Sequence, residues 1–185
     1  MNRVNWFDKT VGERGEYART QDFFSVFECE RVGLQRLALM LTANSEVVRG
    51  CLIRAFRECI SSNSVSKEWA RSWTRRVVIR NAISLVMSPE AESFGNKSDD
   101  ADNGLFAFSH DDSLSAIAEC KWILNLPELD RFVFVICVIE RYSMYDCALL
   151  LDRSLRDINE ARQRVGNQVG QIIEVNDISQ LFAMR

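Results

Sequence analysis

Apolar residues recur at helical spacing from Asp22 onward, as Phe23, Phe24, Phe27, Val32, Leu34, Leu37 and Leu41. This pattern predicts a helix that Asp22 can cap. Thr42, Ala43, Asn44 and Ser45 break it and can cap a second helix, over about 46–60, with Val48, Leu52, Ala55 and Phe56 on one face. A polar loop at 61–64 follows. A third helix over about 67–87 then sets Trp69, Trp73, Val77, Arg80, Ile83 and Leu85 among arginines. No strand-period alternation of any length appears. The first half therefore reads as a three-helix unit.

The second apolar region begins with a helix over 114–124 that Asp111, Asp112 and Ser113 can cap. It continues through 126–169 as three more helices. Pro127 suits a first helical position, since its missing N–H would be unpaired there. Glu128 and Asp130 then place negative charge at the positive end of the helix dipole. The run 129–139 is rich in β-branched residues, and its length and N-terminal signals favour a buried helix over a strand. Two capping signatures follow, Ser143 with Asp146 and Ser154 with Asp157. In each, the serine oxygen can accept from an unpaired backbone N–H. They bracket a short helix over 144–151 and open a longer one at Leu155. Only Asp152 and Arg153 lie between Leu151 and the Ser154 cap. The spacing fits a helix-turn-helix, whose second helix can enter a DNA major groove. It fits a helical hairpin in an ordinary bundle equally well.

Charge divides the chain. Residues 1–87 hold 14 Lys/Arg and 9 Asp/Glu, net +5. Residues 88–113 hold 1 and 7, net −6, and residues 114–185 hold 8 and 10, net −2. The overall charge of −3 thus hides a basic first half and an acidic middle. The middle also carries Pro89, Gly95 and Gly104, and reads as a flexible linker over 88–113. Its Leu105, Phe106 and Phe108 can dock on a neighbouring surface or cluster transiently. The expected organisation is all-α, with an arm at 1–21, a helical domain at 22–87, the linker, and a second helical domain at 114–185.

Six cysteines stand at 29, 51, 59, 120, 137 and 147, with no C-x-x-C spacing, and the one histidine, His110, lies in a polar segment. No metal site or cofactor is expected. Buried free thiols in a reducing cytoplasm are the expectation, and a redox switch the alternative. No apolar run approaches the ~20 residues that span a membrane, and no secretion signal opens the chain. Nothing supports an enzyme: there is no nucleophile–histidine–acid set and no Gly-rich phosphate loop.

Several stretches carry a resemblance. Leu126-Pro127-Glu128-Leu129-Asp130-Arg131-Phe132-Val133-Phe134, then Tyr142-Ser143, Ala148, Leu151 and Ser154-Leu155, are similar to the pattern of the last domain of bacterial RNA polymerase sigma factors. The likeness is to the short, two-domain extracytoplasmic-function type. Leu37 to Thr42 resembles the family's L-A-x-x-L-T. Phe56 falls where the family's helix has an aromatic. Trp73 to Ile83 resembles its W-L-x-R-I-A-R-N-x-A with one extra residue. The resemblance covers about 22–87 and 114–170.

It implies a transcription initiation factor whose partners are core RNA polymerase, promoter DNA and an anti-sigma protein. The second helix would bind the polymerase clamp through Arg49, Leu52, Ile53 and Phe56. The 69–83 helix would meet the −10 element through Arg71, Trp73, Arg75, Arg76, Arg80 and Asn81, mixing cations with aromatics as single strands require. Arg75 and Arg76 are expected to be its most exposed residues. The 155–169 helix would bury Leu155, Ile158, Ala161, Val165 and Val169. It would read the −35 element through Arg153, Ser154, Arg156, Asn159, Glu160, Gln163 and Arg164. Asn and Gln can pair with adenine, and Glu can accept from cytosine.

Two departures sustain an alternative. The family's clamp helix is acidic, whereas 47–56 has no acid and holds Arg49 and Arg54. The recognition helix has Asn159 and Ala161 where arginines are common, with Asp157 and Glu160 repelling phosphate. The alternative is a sigma-like protein that has lost promoter or polymerase binding and serves as a regulatory protein-interaction module.

Overall fold

The computed structural model describes residues 17–61, 65–87 and 121–183, with side chains up to residue 170. The linker at 88–113, its aromatic cluster at 105–108, most of the N-terminal arm, and His110 and Cys120 lie outside these residues. In chain order the elements are α1 (Thr20–Cys29), α2 (Arg31–Thr42), α3 (Ser45–Ser61), a 3-10 turn (Lys67–Trp69) and α4 (Ala70–Met87). A helical segment at 121–124 leads to α5 (Glu128–Val133), a π-helical turn (Phe134–Ile139), α6 (Met144–Leu151) and α7 (Leu155–Ala183). The fold is all-α, with no strand among the described residues. One isolated antiparallel bridge joins Tyr17 to Ser66.

The apolar stretch expected as one helix from Asp22 is two. Glu30 leaves helical dihedrals (φ −103°, ψ 13°) and divides α1 from α2. The bend lets Phe23 and Phe27 face the same core as Leu34, Leu37 and Leu41. Val32, just after it, stays exposed. Asp22 is not the cap residue either. It sits three residues inside the helix and accepts from the Arg19 N–H at 2.9 Å, the reciprocal arm of a capping box. That bond, followed by Lys67, holds its carboxyl below the usual range.

Helices α2, α3 and α4 pack together and α1 closes over them. Their centre is Leu34, Leu37, Leu41, Cys51, Leu52, Val77, Val78 and Ile79, and Phe27 meets Phe56 edge-on at 5.2 Å. Each such large side chain contributes about 1.5–3 kcal/mol by leaving water. Ala43 ends α2 in the left-handed region (φ 51°), and Asn44 Oδ1 accepts the Glu46 N–H at 2.9 Å to open α3.

In the C-terminal unit Pro127 stands one position before α5 rather than inside it, and its carbonyl accepts the Arg131 N–H at 2.8 Å. The expected helix over 129–139 is only half α-helical. From Phe134 the backbone widens into the π turn, with Glu140 N–H reaching the Val135 carbonyl at 2.9 Å. The helix over 144–151 has the expected bounds. Ser143 Oγ accepts the Asp146 N–H at 3.1 Å, and Ser154 Oγ the Asp157 N–H at 3.1 Å. Between them Asp152 adopts φ 49°, and the N–H groups of Asp152 and Arg153 both donate to the Ala148 carbonyl. Helix α7 rests on α5 and α6 through Ile158, Ala161 and Val165. Leu155 is exposed and Val169 half-buried, so the buried stripe is narrower than the pattern suggests.

The two units meet. Arg131, buried in α5, donates from Nε to the Leu41 carbonyl at 3.2 Å and from Nη1 to the Leu126 carbonyl at 3.2 Å. Its burial lowers its pKa, which Glu128 partly offsets.

Four thiols sit in apolar surroundings, Cys51, Cys59 and Cys147 buried and Cys137 half-buried, while Cys29 is exposed. Burial pushes Cys51 up to about 12 and Cys59 up to about 11. The Cys147 thiol donates to Cys137, which holds Cys137 low and Cys147 high.

Two outcomes follow from these positions. Gly50 lies exposed within α3 with nothing within 4 Å of where a Cβ would stand. Gly50→Ala should raise stability by about 0.5–1 kcal/mol in urea unfolding, and a loss would show that the glycine serves packing. Native-state alkylation near neutral pH should modify Cys29 well before Cys51 and Cys59. Both buried thiols stay protonated above the ordinary value of 9.0. Their contribution to stability is complete below pH 9.0 and declines as pH rises toward about 12.

Candidate nucleic-acid interface

Helix α4 packs three sides into the first unit, which leaves its arginines along the remaining edge. Arg71 and Arg80 are exposed, whereas Arg75 and Arg76, expected to be the most exposed, are half-buried. The cause is acid on the neighbouring elements. Arg75 donates from Nε to Glu140 Oε2 at 2.8 Å, from Nη2 to Glu140 Oε1, and from Nη1 to Glu30 Oε2 at 3.1 Å. Arg71 pairs with the other oxygen of Glu30. Glu140 leads the effects that raise the Arg75 pKa above its ordinary value, ahead of the opposing effect of burial. Arg80 pairs with Glu58, whose second oxygen accepts from Asn81 Nδ2 at 2.9 Å. Asn81 is itself buried and also donates to the Val77 carbonyl at 2.9 Å. Arg76 lies over the Tyr142 ring, 5.8 Å from its centroid.

The aromatics separate. Trp73 packs against the core, and its buried indole N–H has no hydrogen-bond partner among the described residues. Trp69 is largely exposed at the helix start.

Helix α7 presents the face expected of it more openly. Arg153, Ser154, Arg156, Asn159, Glu160 and Gln163 are all exposed. Arg156 is 86% exposed and bonds Glu160 one turn on, at 2.8 Å. That surface pair is weak and can exchange for another acceptor. Arg164 is different. Its Nε bonds both oxygens of Asp130 at 3.1 Å and its Nη2 bonds Oδ1 at 2.6 Å. The Asp130 side chain is 2% exposed, so Arg164 is needed to neutralise a buried carboxylate. Arg162 stays at the surface, with Nη1 3.7 Å from Met144 Sδ.

Of the residues expected on the polymerase-binding face of α3, only Arg49 is exposed. Ile53 is half-buried, and Leu52 and Phe56 belong to the core. The aromatic at position 56 therefore packs on Phe27 rather than offering itself to a partner.

The pattern of the sequence left one surface unremarked. Tyr145 and Leu149, four apart on α6, are 68% and 80% exposed. Val138, Ile139 and Leu155 add further exposed apolar side chains to the same unit. The signal was present in the i, i+4 spacing on a helix whose buried side is already supplied by Cys147, Ala148 and Leu151.

Arg164→Ala should lower the melting temperature by several degrees by stranding Asp130, whereas Arg156→Ala should leave it nearly unchanged. Equal effects in thermal denaturation would contradict the division between an anchoring and a free arginine. Among the described residues no group of His, Cys, Asp and Glu could hold a metal ion, and no described helix is long and apolar enough to cross a membrane. No protein-family model, no curated protein and no solved structure matches the chain.

Proposed function

We propose that the chain is a sigma-like transcription initiation factor that binds core RNA polymerase and promoter DNA. In this reading α6 and α7 form a helix-turn-helix within the second of two helical domains. One observation carries it: two helices, each opened by a serine–aspartate cap, meet across a three-residue turn, and the second presents uncovered polar side chains. Arg153, Arg156, Asn159 and Gln163 supply the donors that base edges and phosphates accept. Arg164 serves the protein rather than the DNA. The α4 arginines supply the second contact, at the −10 element, while Trp73 stays packed against the core.

A second reading has its own support. Three α4 arginines are matched by acids, Leu52 and Phe56 are internal, and α6 exposes Tyr145 and Leu149. Exposed apolar side chains of this kind suit a protein partner. They favour a sigma-like interaction module without promoter binding.

Pull-down with core polymerase and selection from a random duplex library separate the two. The first reading expects polymerase retention and enrichment of a sequence motif, with affinity falling steeply as salt rises. It also expects Arg156→Ala to relax selection at one or two base positions. Absence of polymerase retention, or retention without any enriched motif, rejects the first reading and leaves the second.

A further inference from the structure

Glu140 and Tyr142 are brought to α4 by an unusual stretch of backbone. The π turn ends at Ile139, and Arg141 adopts φ 59°, which a residue with a side chain rarely does. Tyr142 N–H closes the stretch on the Ile136 carbonyl at 3.0 Å. The result sets the Glu140 carboxylate in the fork of Arg75 and the Tyr142 ring beneath Arg76. Backbone held in a sparsely populated region persists only where its surroundings enforce it.

The contacts copy those a nucleic acid makes. A bidentate guanidinium–carboxylate pair has the geometry of a guanidinium–phosphate pair. A cation over an aromatic face resembles arginine against an unstacked base. Both are made to the two arginines of α4 that are half-buried. The Glu140 side chain is 6% exposed, so the pair is shielded from water. Arg71, Arg75, Glu30 and Glu140 together carry no net charge. Removing such ions from water offsets much of their attraction. Arg71 is exposed and Arg75 half-buried, so a competing polyanion can reach the cluster from the solvent side.

We propose that Glu140 and Tyr142 form an internal plug that occupies the single-stranded nucleic-acid site of α4, so that the described arrangement is the closed, autoinhibited state. The inference rests on the reading of α4 as a nucleic-acid surface. Opening exchanges the Glu140 carboxylate for a phosphate at Arg75 and frees Arg76 from Tyr142. Because Glu140 belongs to the C-terminal unit, opening also draws that unit away from α4, with Arg131 still tied to the Leu41 carbonyl of α2. Glu30 remains with Arg71, since both belong to the N-terminal unit.

The test uses the full chain with three variants. Glu140→Gln removes the charge and keeps the shape. Glu140→Arg sets two guanidiniums against each other. Arg75→Glu with Glu140→Arg restores opposite charges with the cation on the wrong side for nucleic acid. Small-angle X-ray scattering reads the separation of the units. Fluorescence anisotropy reads binding of a labelled single-stranded DNA oligonucleotide of mixed sequence. Both single variants should enlarge the radius of gyration and bind about tenfold tighter, as for a competent state populated at about one part in ten in the wild type. The double variant should return to the wild-type radius and bind no better than wild type. Its recovery separates opening from misfolding. An unchanged radius in both single variants overturns the plug, whatever the oligonucleotide does. Expansion without tighter binding in any variant also overturns it, and locates the failure in the nucleic-acid role of α4 rather than in the contact between the units.

Discussion

Two adjacent buried residues of opposite charge, Asp130 and Arg131, fix how the C-terminal helices sit. Neighbours on a helix point about 100° apart, so the two side chains leave α5 in different directions. Asp130 receives the guanidinium of Arg164 from α7. Arg131 reaches the Leu41 carbonyl at the end of α2. Neither charge tolerates burial without its partner. One residue thereby positions the long C-terminal helix, and the next ties the unit to α2. The short α5 could not hold either contact if its rotation were free.

The same economy of charge governs the surface. The basic first half has its positive excess concentrated on α4, and the folded chain answers it with Glu30, Glu58 and Glu140. Two of these acids come from the same unit as the arginines and one from the other unit. Local pairing therefore steadies α4 within its own core, and pairing across the units makes its exposure depend on their separation. Helix α7 follows the opposite rule. One arginine, Arg164, is held at the surface by the buried Asp130 carboxylate, and most of its other described polar residues stay exposed.

Helix existence was legible in the sequence because apolar spacing and polar caps agree. Ser143 and Ser154 do what their spacing with Asp146 and Asp157 implies, and the bounds of α6 follow. The break at Glu30 was not legible, since no Gly or Pro marks it and glutamate is a good helix former. The carboxylate at that break lies between Arg71 and Arg75, forty or more positions along the chain. A longer separation, 65 positions, hid the pairing of Glu140 with Arg75. For the candidate interface, composition gave the arginines of α4 and the exposed face of α7. Which arginines were already occupied depended on tertiary contacts that spacing does not encode. The buried positions of Leu52 and Phe56 were visible in the periodicity of α3, and that reading conflicts with using them for a partner.

The π turn at Phe134–Ile139 has a consequence for how this chain tolerates change in length. A π-helical turn holds one residue more than an α-helical one, the usual trace of a single-residue insertion within a helix. Deleting one residue there would let an ordinary α-helix form, and local hydrogen bonding would be as good or better. The side chains beyond the deletion would keep nearly the same direction around the axis, because five residues at about 100° each turn about as far as the six of the wider π turn. Glu140 would still face Arg75, and Asp130, upstream, would keep Arg164. The turn is thus the one place in this stretch where a residue can be lost with the contact to α4 kept, whereas a deletion within the α-helical turns of α5 would rotate everything beyond it by about 100°.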